Sequence, residues 1–393
     1  MKALFVNVSS IGHVVPTLNL IHALAVAGVD VVYLERETHR QELEAAGARV
    51  TPMAPFAPYT GPETATNAAL PAVLAHCALE GVEQVLAAIQ AEGPDVVVHD
   101  SLCFWGRLAA DLAKVPRVNS IVTAALTRRM LRQNAIVRRW LGPPDSHKPI
   151  QTFVQTCFSR LHSRYGCARE DLYGPIMNAA PANLVYLTRA LQPCADQFGT
   201  DYLFCGVGQP MRFHAQPFDW GCLDRRPLIY MSFGTVHDPG LALYRRIALA
   251  LERVDAQLVV VATASLATAS VTWPTRTVVC AQGSAPQLSL LAHAAVFISH
   301  GGGGAVREAA WSATPVLAWP MTFEQDLLSL QLARQGAALR MAHTASVVAI
   351  TAALQALLHD RSFVTAARRL RAQQQRCASR RDAVQTIMRA HAP

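Results

Sequence analysis

Along the first 120 residues, apolar positions fall into two rhythms that alternate. Short apolar runs at 3–8, 29–34, 95–99 and 118–122 read as strands, the run at 95–99 as one covered on both faces. Between them, helical spacing predicts helices over 16–27, 39–46, 82–91 and 102–113, with Gly28 and Gly47 as C-terminal stops. This alternation predicts a parallel α/β sheet. Gly206, Gly208, Pro210, Pro217, Gly221 and Pro227 then crowd one stretch, which reads as a linker. The rhythm restarts beyond it, with strands expected at 228–232, 258–262, 277–279, 295–299 and 316–319. Helices are expected at 241–254, 286–292, 303–311 and 323–336, followed by an Arg-rich helical stretch over 345–393. Residues 125–180 are helical, rich in Arg and His, and broken at Pro143-Pro144; the pattern assigns them no role. The expected division is an N-terminal domain 1–207, a linker 208–226 and a C-terminal domain 227–375. A C-terminal helix, 376–393, is placed as one that can pack back on the N-terminal domain.

Composition narrows the classes. At 393 residues, 51% apolar and 16% charged, the chain is neither disordered nor fibrous. No run approaches the roughly 18 continuous apolar residues of a membrane span, so no integral membrane association is expected. The formal charge of +8 comes with scattered arginine pairs and no aromatic-interleaved basic motif. Nucleic acid is therefore not expected, while a basic cleft for an anionic substrate is compatible. Nine cysteines at irregular spacings, with no CxxC, suggest neither a disulfide framework nor a zinc site. Free thiols in a reducing cytoplasm are the default. The opening apolar run is short and leads straight into Ser9-Ser10-Ile11-Gly12-His13, so it reads as a strand, not a signal peptide.

The segment 295–308 is the most informative. An apolar run meets His300, then Gly301-Gly302-Gly303-Gly304-Ala305, then a helix ending its first turns at Arg307-Glu308. Glycines let backbone N–H groups approach an anion, and a helix N-terminus adds orphan donors and a positive dipole end. A diphosphate suits this place, with His300 as a further donor; a tight glycine turn is the plain alternative. The segment has neither GK[ST] nor GxGxxG, which disfavours a kinase or an ordinary dehydrogenase. Ala285-Pro286-Gln287 precedes it and Trp319-Pro320-Met321-Thr322-Phe323-Glu324-Gln325 follows it, each after a strand. These loops would lie along one edge of the second sheet. In the N-terminal half, His13 and Asp100 each stand just past a parallel strand. A neutral imidazole can take a hydroxyl proton, and a carboxylate behind it fixes the tautomer. The residues alone leave this dyad open against an unrelated helix-start His and Asp. His99, the neighbour of Asp100, points to the opposite face. There is no DxD triplet and no HExxH, so no metal is called for.

As a set, these motifs resemble the family 1 glycosyltransferases, in style the macrolide-type group. The segment 279–336 is similar to their nucleotide-sugar signature. Gly12-His13-Val14-Val15-Pro16-Thr17, His99-Asp100-Ser101 with Trp105-Gly106, and Ser232-Phe233-Gly234-Thr235 are similar to their other loops. The resemblance implies the GT-B fold, two Rossmann-like domains facing each other across a cleft. It implies His13 as general base oriented by Asp100, with Gly12 beside it. Ala285 and Gln287 would meet the nucleotide base region, and Glu308 the ribose. His300, the backbone of Gly302, Gly303, Gly304 and Ala305, and Ser232, Gly234 and Thr235 would hold the diphosphate. Glu324 and Gln325 would hold sugar hydroxyls. Three departures stand out: Ala305 where the family usually has Ser, Leu328 where it usually has Asn, and Glu324 for the commoner Asp.

The expected activity is inverting, metal-independent transfer of a sugar, glucose first, from a UDP- or TDP-sugar to an apolar small molecule such as a secondary metabolite. No cofactor is expected, since the sugar nucleotide is a co-substrate, and a monomer or homodimer would suffice. The alternatives are a sugar-nucleotide epimerase or a lipid glycosyltransferase of the same fold, and an inactive helper protein.

Overall fold

The computed structural model describes residues 1–62, 67–141, 147–206, 210–211, 217–234, 238–263, 266, 271–377 and 380–391. The chain forms two compact units. One comprises Met1–Arg189, Cys194–Phe213 and Cys377–Pro393, the other Ala190–Pro193 and His214–Arg376.

The first unit is built on a parallel sheet. Its strands are β1 (Lys2–Val6), β2 (Asp30–Glu35), β3 (Arg49–Pro52), β4 (Val96–Asp100), β5 (Arg117–Ile121), β6 (Ala182–Val185) and β7 (Tyr202–Phe204). Their order is β3-β2-β1-β4-β5-β6-β7. After β1 come α1 (Ile11–Val14), a short 3-10 turn and α2 (Leu18–Val26); α3 (Arg40–Ala45) follows β2. Gly28 and Gly47 close α2 and α3 at φ 79° and 99°, a region that a side chain enters only with strain. Next come α4 (Leu70–Glu92) and α5 (Phe104–Ala113), then α6 (Arg128–Gln133), α7 (Ala135–Leu141) and α8 (Lys148–Tyr165).

The second unit repeats the plan. Its strands are β8 (Leu228–Ser232), β9 (Gln257–Val261), β10 (Thr277–Cys280), β11 (Ala294–Ser299), β12 (Val316–Ala318) and β13 (Ala338–Arg340), in the order β10-β9-β8-β11-β12-β13. The helices are α9 (Leu241–Leu251), α10 (Gln287–His293), α11 (Gly303–Ser312), α12 (Phe323–Arg334), α13 (Val347–His359) and α14 (Arg361–Arg376). The last helix, α15 (Arg380–Ala390), belongs to the first unit, where Ala383, Val384 and Ile387 enter the core beside Leu20, Leu24 and Val96. Arg380 donates to Asn19 Oδ1 at 2.9 Å and the Cys377 thiol to the Phe204 carbonyl at 2.7 Å, which tie the chain to this unit just before and at the start of the helix.

Some elements differ from the expectation. The strands β3, β6, β7 and β13 have three or four residues each and contain polar or half-buried positions, so they leave no apolar run to detect. The helix α4 starts twelve residues earlier than the expected 82, on Leu70 with Pro71 in its first turn. It is long and apolar enough to cross a bilayer, with mean hydropathy 1.4, but half of that window is buried, and α4 packs on α5 and α8. The linker falls partly outside the described residues, at 208–209 and 212–216.

Ile387 is fully buried in the first core, and Leu354 in the second. Ile387→Ala is predicted to cost about 2–5 kcal/mol. Hydrogen exchange read by peptide would then speed up across β1, β4 and α2 and stay unchanged across β8 and β11. Leu354→Ala would do the reverse.

Candidate functional site

In each sheet the strand order reverses once, between β1 and β4 in the first unit and between β8 and β11 in the second. Ligands of doubly wound sheets bind outside the carboxyl ends of the strands at this switch point. The two switch points hold the two sets of residues singled out from the sequence.

In the first unit, the chain leaves β1 through Asn7 and enters α1. The His13 amide donates to the Ser10 carbonyl at 2.8 Å, and Asn7 Nδ2 donates to the His13 carbonyl at 3.2 Å. The His13 backbone is therefore held at both ends. Across the switch point, β4 ends at Asp100, which is fully buried. One carboxylate oxygen accepts from the Leu102 amide at 2.7 Å, and the other lies 2.8 Å from His13 Nδ1. A carboxylate only accepts, so Nδ1 carries the proton and the basic lone pair is on Nε2. The His13 side chain is 14% exposed while Asp100 is not exposed at all, so the ring bridges a buried charge and the outside. Apart from its chain neighbours, a Cβ on Gly12 would meet nothing within 4 Å, so the fold leaves open space at this position. His99 faces the other side of the sheet; burial pushes its pKa down to about 3, and it stays neutral.

In the second unit, Ser232 ends β8 and pairs with Ser299, which ends β11 and pairs with Ala318 at the end of β12. His300 follows. A Cβ on Gly234 would lie 2.9 Å from the His300 ring, and one on Gly302 would lie 2.5 Å from its Nε2. The two glycines thus make the slot that the imidazole occupies, and Gly234 also has φ 77°. Gly301, at φ 76°, turns the chain past Ser329. Gly302 is the N-cap of α11 and has no side chain to cover the helix start; the first helical bond is Val306 N–H to the Gly302 carbonyl, 2.9 Å. The amides of Gly303, Gly304 and Ala305 lie ahead of it at the positive end of the helix dipole. Unlike Gly302, Gly304 would give a Cβ nothing to meet within 4 Å. Thr235 lies outside the described residues.

The remaining candidates sort into two pairs. Gln287 opens α10, after Ala285, whose carbonyl accepts the Gln287 amide at 2.9 Å. Its side-chain amide donates to Glu308 at 2.6 Å and accepts from the Tyr230 hydroxyl at 3.2 Å. Gln287 and Glu308 therefore act as one hydrogen-bonded unit beside α11. Glu324 and Gln325 begin α12, where Thr322 caps the helix by accepting the Gln325 amide at 3.2 Å. Gln325 Oε1 accepts in return from the amide of Met321, the residue before the cap, at 2.7 Å, so this oxygen serves the backbone at the helix start. Leu328 is fully buried and Ala305 nearly so, both packed into the unit's interior.

Three contributors were not legible in the sequence: Asn7, Tyr230 and Ser299. Asn7 carries His13, Tyr230 holds Gln287 and stacks on Phe297 at 5.3 Å, and Ser299 Oγ accepts the Gly301 amide at 3.2 Å. Asn7 and Ser299 are polar residues at the end of an apolar strand, and that is the signal to seek.

Comparison with known proteins agrees with this layout. Residues 224–375 match the family described as UDP-glucoronosyl and UDP-glucosyl transferase. Over 346 residues the chain is 28% identical to YdhE of Bacillus subtilis, named an uncharacterized UDP-glucosyltransferase, covering 84% of this chain and 82% of that protein. It is 24% identical over 331 residues to the oleandomycin glycosyltransferase of Streptomyces antibioticus, covering 81% and 74% of the two chains. The solved structure of the glycotransferase of kitacinnamycin superposes with a TM-score of 0.85 at 23% identity, covering 99% of this chain and 98% of that one. With its two doubly wound units this chain has the GT-B fold of that solved structure, and its second unit, around His300, is similar to the family 1 glycosyltransferases.

Proposed function

We propose that the chain transfers a sugar from a UDP- or TDP-sugar, glucose being favoured, to a nucleophile of an apolar small molecule, with inversion and without a metal. The observation that carries this reading is Gly304. Gly302 must be glycine to admit the His300 ring, and Gly301 to turn the chain. Among the described residues nothing requires the bareness of Gly304, which has room for a Cβ. A bare backbone that the fold does not use, at the N-terminus of a ten-residue helix, suits a bound anion. A diphosphate there would receive the amides of Gly302–Ala305, with His300 and Ser232 beside it. Gln287 and Glu308 would then meet the base and ribose, and Glu324 and Gln325 the sugar. Among the described residues, no three His, Cys, Asp or Glu side chains converge as a metal site. The leaving charge would be met by amides and helix dipole instead.

The first unit would supply the base. His13 Nε2 takes the proton of the acceptor hydroxyl, and Asp100 stabilises the imidazolium that forms. The hydroxyl oxygen bonds to the anomeric carbon as the bond from that carbon to the diphosphate oxygen breaks. One such displacement inverts the centre, and the nucleoside diphosphate leaves with the electron pair. A secondary-metabolite acceptor is supported by the relative named for oleandomycin.

Three outcomes follow. Gly304→Ala keeps the melting temperature but weakens UDP or TDP binding about tenfold or more, measured calorimetrically in EDTA; unchanged affinity would remove the diphosphate from this turn. His13→Ala lowers transfer by about 10²–10⁴-fold while nucleotide affinity stays the same, and unchanged turnover would remove His13 from the reaction. Asp100→Asn moves the imidazole proton to Nε2, read from the ring 15N shifts, and turnover falls with it.

A further inference from the structure

A second carboxyl stands near His13 and has no part in the mechanism above. Glu35, the last residue of β2, is fully buried. Neither of its oxygens meets a donor in normal hydrogen-bond geometry, although the Ser9 hydroxyl and the Arg36 amide approach it. Its place in the sheet gives it a neighbour. Leu34 pairs with Val6, and Val6 with His99, so the next residues along, Glu35, Asn7 and Asp100, stand in a row across three adjacent strands. Strands lie about 4.8 Å apart, which places Glu35 beside Asn7 and about 10 Å from Asp100. Tyr33, Phe5 and Val98 share one core cluster, so the residues two positions further on each strand face the same side.

Asn7 is half-satisfied. Its Nδ2 donates to the His13 carbonyl, whereas its Oδ1 is buried with no donor. A buried acceptor that lacks a donor, next to a buried carboxyl that also lacks one, is resolved by a single proton. We propose that Glu35 is a positioning residue for the base: as a neutral acid it donates to Asn7 Oδ1 and so keeps the Asn7 amide turned to carry the His13 carbonyl. When Glu35 loses that proton to solvent, two acceptors face each other. The Asn7 amide then gains by turning its N–H groups toward Glu35, and the His13 carbonyl loses its donor. The assignment of Glu35 to catalysis rests on reading His13 as the base.

The surroundings favour the neutral acid. Burial pushes the Glu35 carboxyl up, with Ser9 and Arg36 opposing more weakly. The other titratable groups acting on this place are Asp100, the Tyr33 phenol and the Cys103 thiol, the last two raised by their own burial. Arg36 is the cation, and it also stacks over Phe56 at 5.9 Å. The sign follows. With its folded pKa raised, Glu35 keeps its proton in the folded chain at pH values where the unfolded chain has lost it. Stability therefore falls as pH rises from the unfolded value, about 4.3, through the folded one.

The test compares the full chain with Glu35→Gln, whose amide donates at every pH, and with Glu35→Ala. The ring 15N signals of His13, identified by their loss in His13→Ala, are followed against pH. The wild type should show a second step besides the imidazole's own titration, and Glu35→Gln should show none. Glu35→Gln should also melt higher than wild type at pH 8 and equally near pH 4. In transfer assays Glu35→Gln should keep its activity at the pH values where the wild type loses activity through ionisation of Glu35. Glu35→Ala should lose about tenfold in kcat with the donor KM unchanged. A second step that survives in Glu35→Gln, or equal pH profiles for all three proteins, would overturn the proposal. If instead His13→Ala still transfers sugar, the base reading fails, and the NMR arm still decides whether Glu35 holds Asn7 and His13.

Discussion

Every strand in both sheets runs the same way, so all carboxyl ends within a sheet emerge along one edge. The rest of the structure depends on this constraint. Because connections leave that edge and helices start just beyond it, the edge collects strand-end side chains and exposed helix N-termini. The reversal of strand order then opens one place on it where adjacent connections diverge. His13 and Asp100 occupy that place in the first unit, and Ser232 and the 300–305 turn occupy it in the second. Neither set required a special fold, only polar residues and glycines at the ends of strands that are otherwise apolar.

The two switch points solve different chemical problems. The first would handle a proton, and it would work through side chains: Asp100 is buried, fixed by the Leu102 amide and joined to His13 at 2.8 Å. A partly exposed ring on a buried carboxylate can change charge at modest cost, because the compensating charge is already in place. The second would handle a diphosphate, and it works through backbone. Glycines clear space for the His300 ring and leave the first turn of α11 uncovered. Backbone donors would also leave Ala305 compatible with such a site, since the amide at that position does not depend on the side chain. Leu328 contributes to packing, and Gln325 contributes first to capping its own helix.

Much of the fold was legible because parallel strands buried on both faces leave continuous apolar runs, as at 228–232 and 295–299. The short strands β3, β6, β7 and β13 were not, because three or four residues with an Arg, Asn or Tyr among them carry no periodicity. The site shows the same division. Glycine runs and a His after a strand are visible, but partners distant in sequence are not. The Gln287–Glu308 bond spans 21 positions and the His13–Asp100 contact spans 87. Their residue types were readable, whereas their mutual orientation is fixed only by the register of the sheet. Asn7 and Glu35 were missed for that reason: each looks like the polar end of a strand until the register places them side by side.

On this reading the turn after β11 is a diphosphate cradle built from amides. It is tested most directly by the structure of the chain with UDP or TDP bound in the presence of EDTA. Diphosphate oxygens are expected within about 3 Å of the amides at 303–305, next to His300, with no intervening metal. Nucleotide bound elsewhere on the chain, or at this turn only through an added cation, would contradict it.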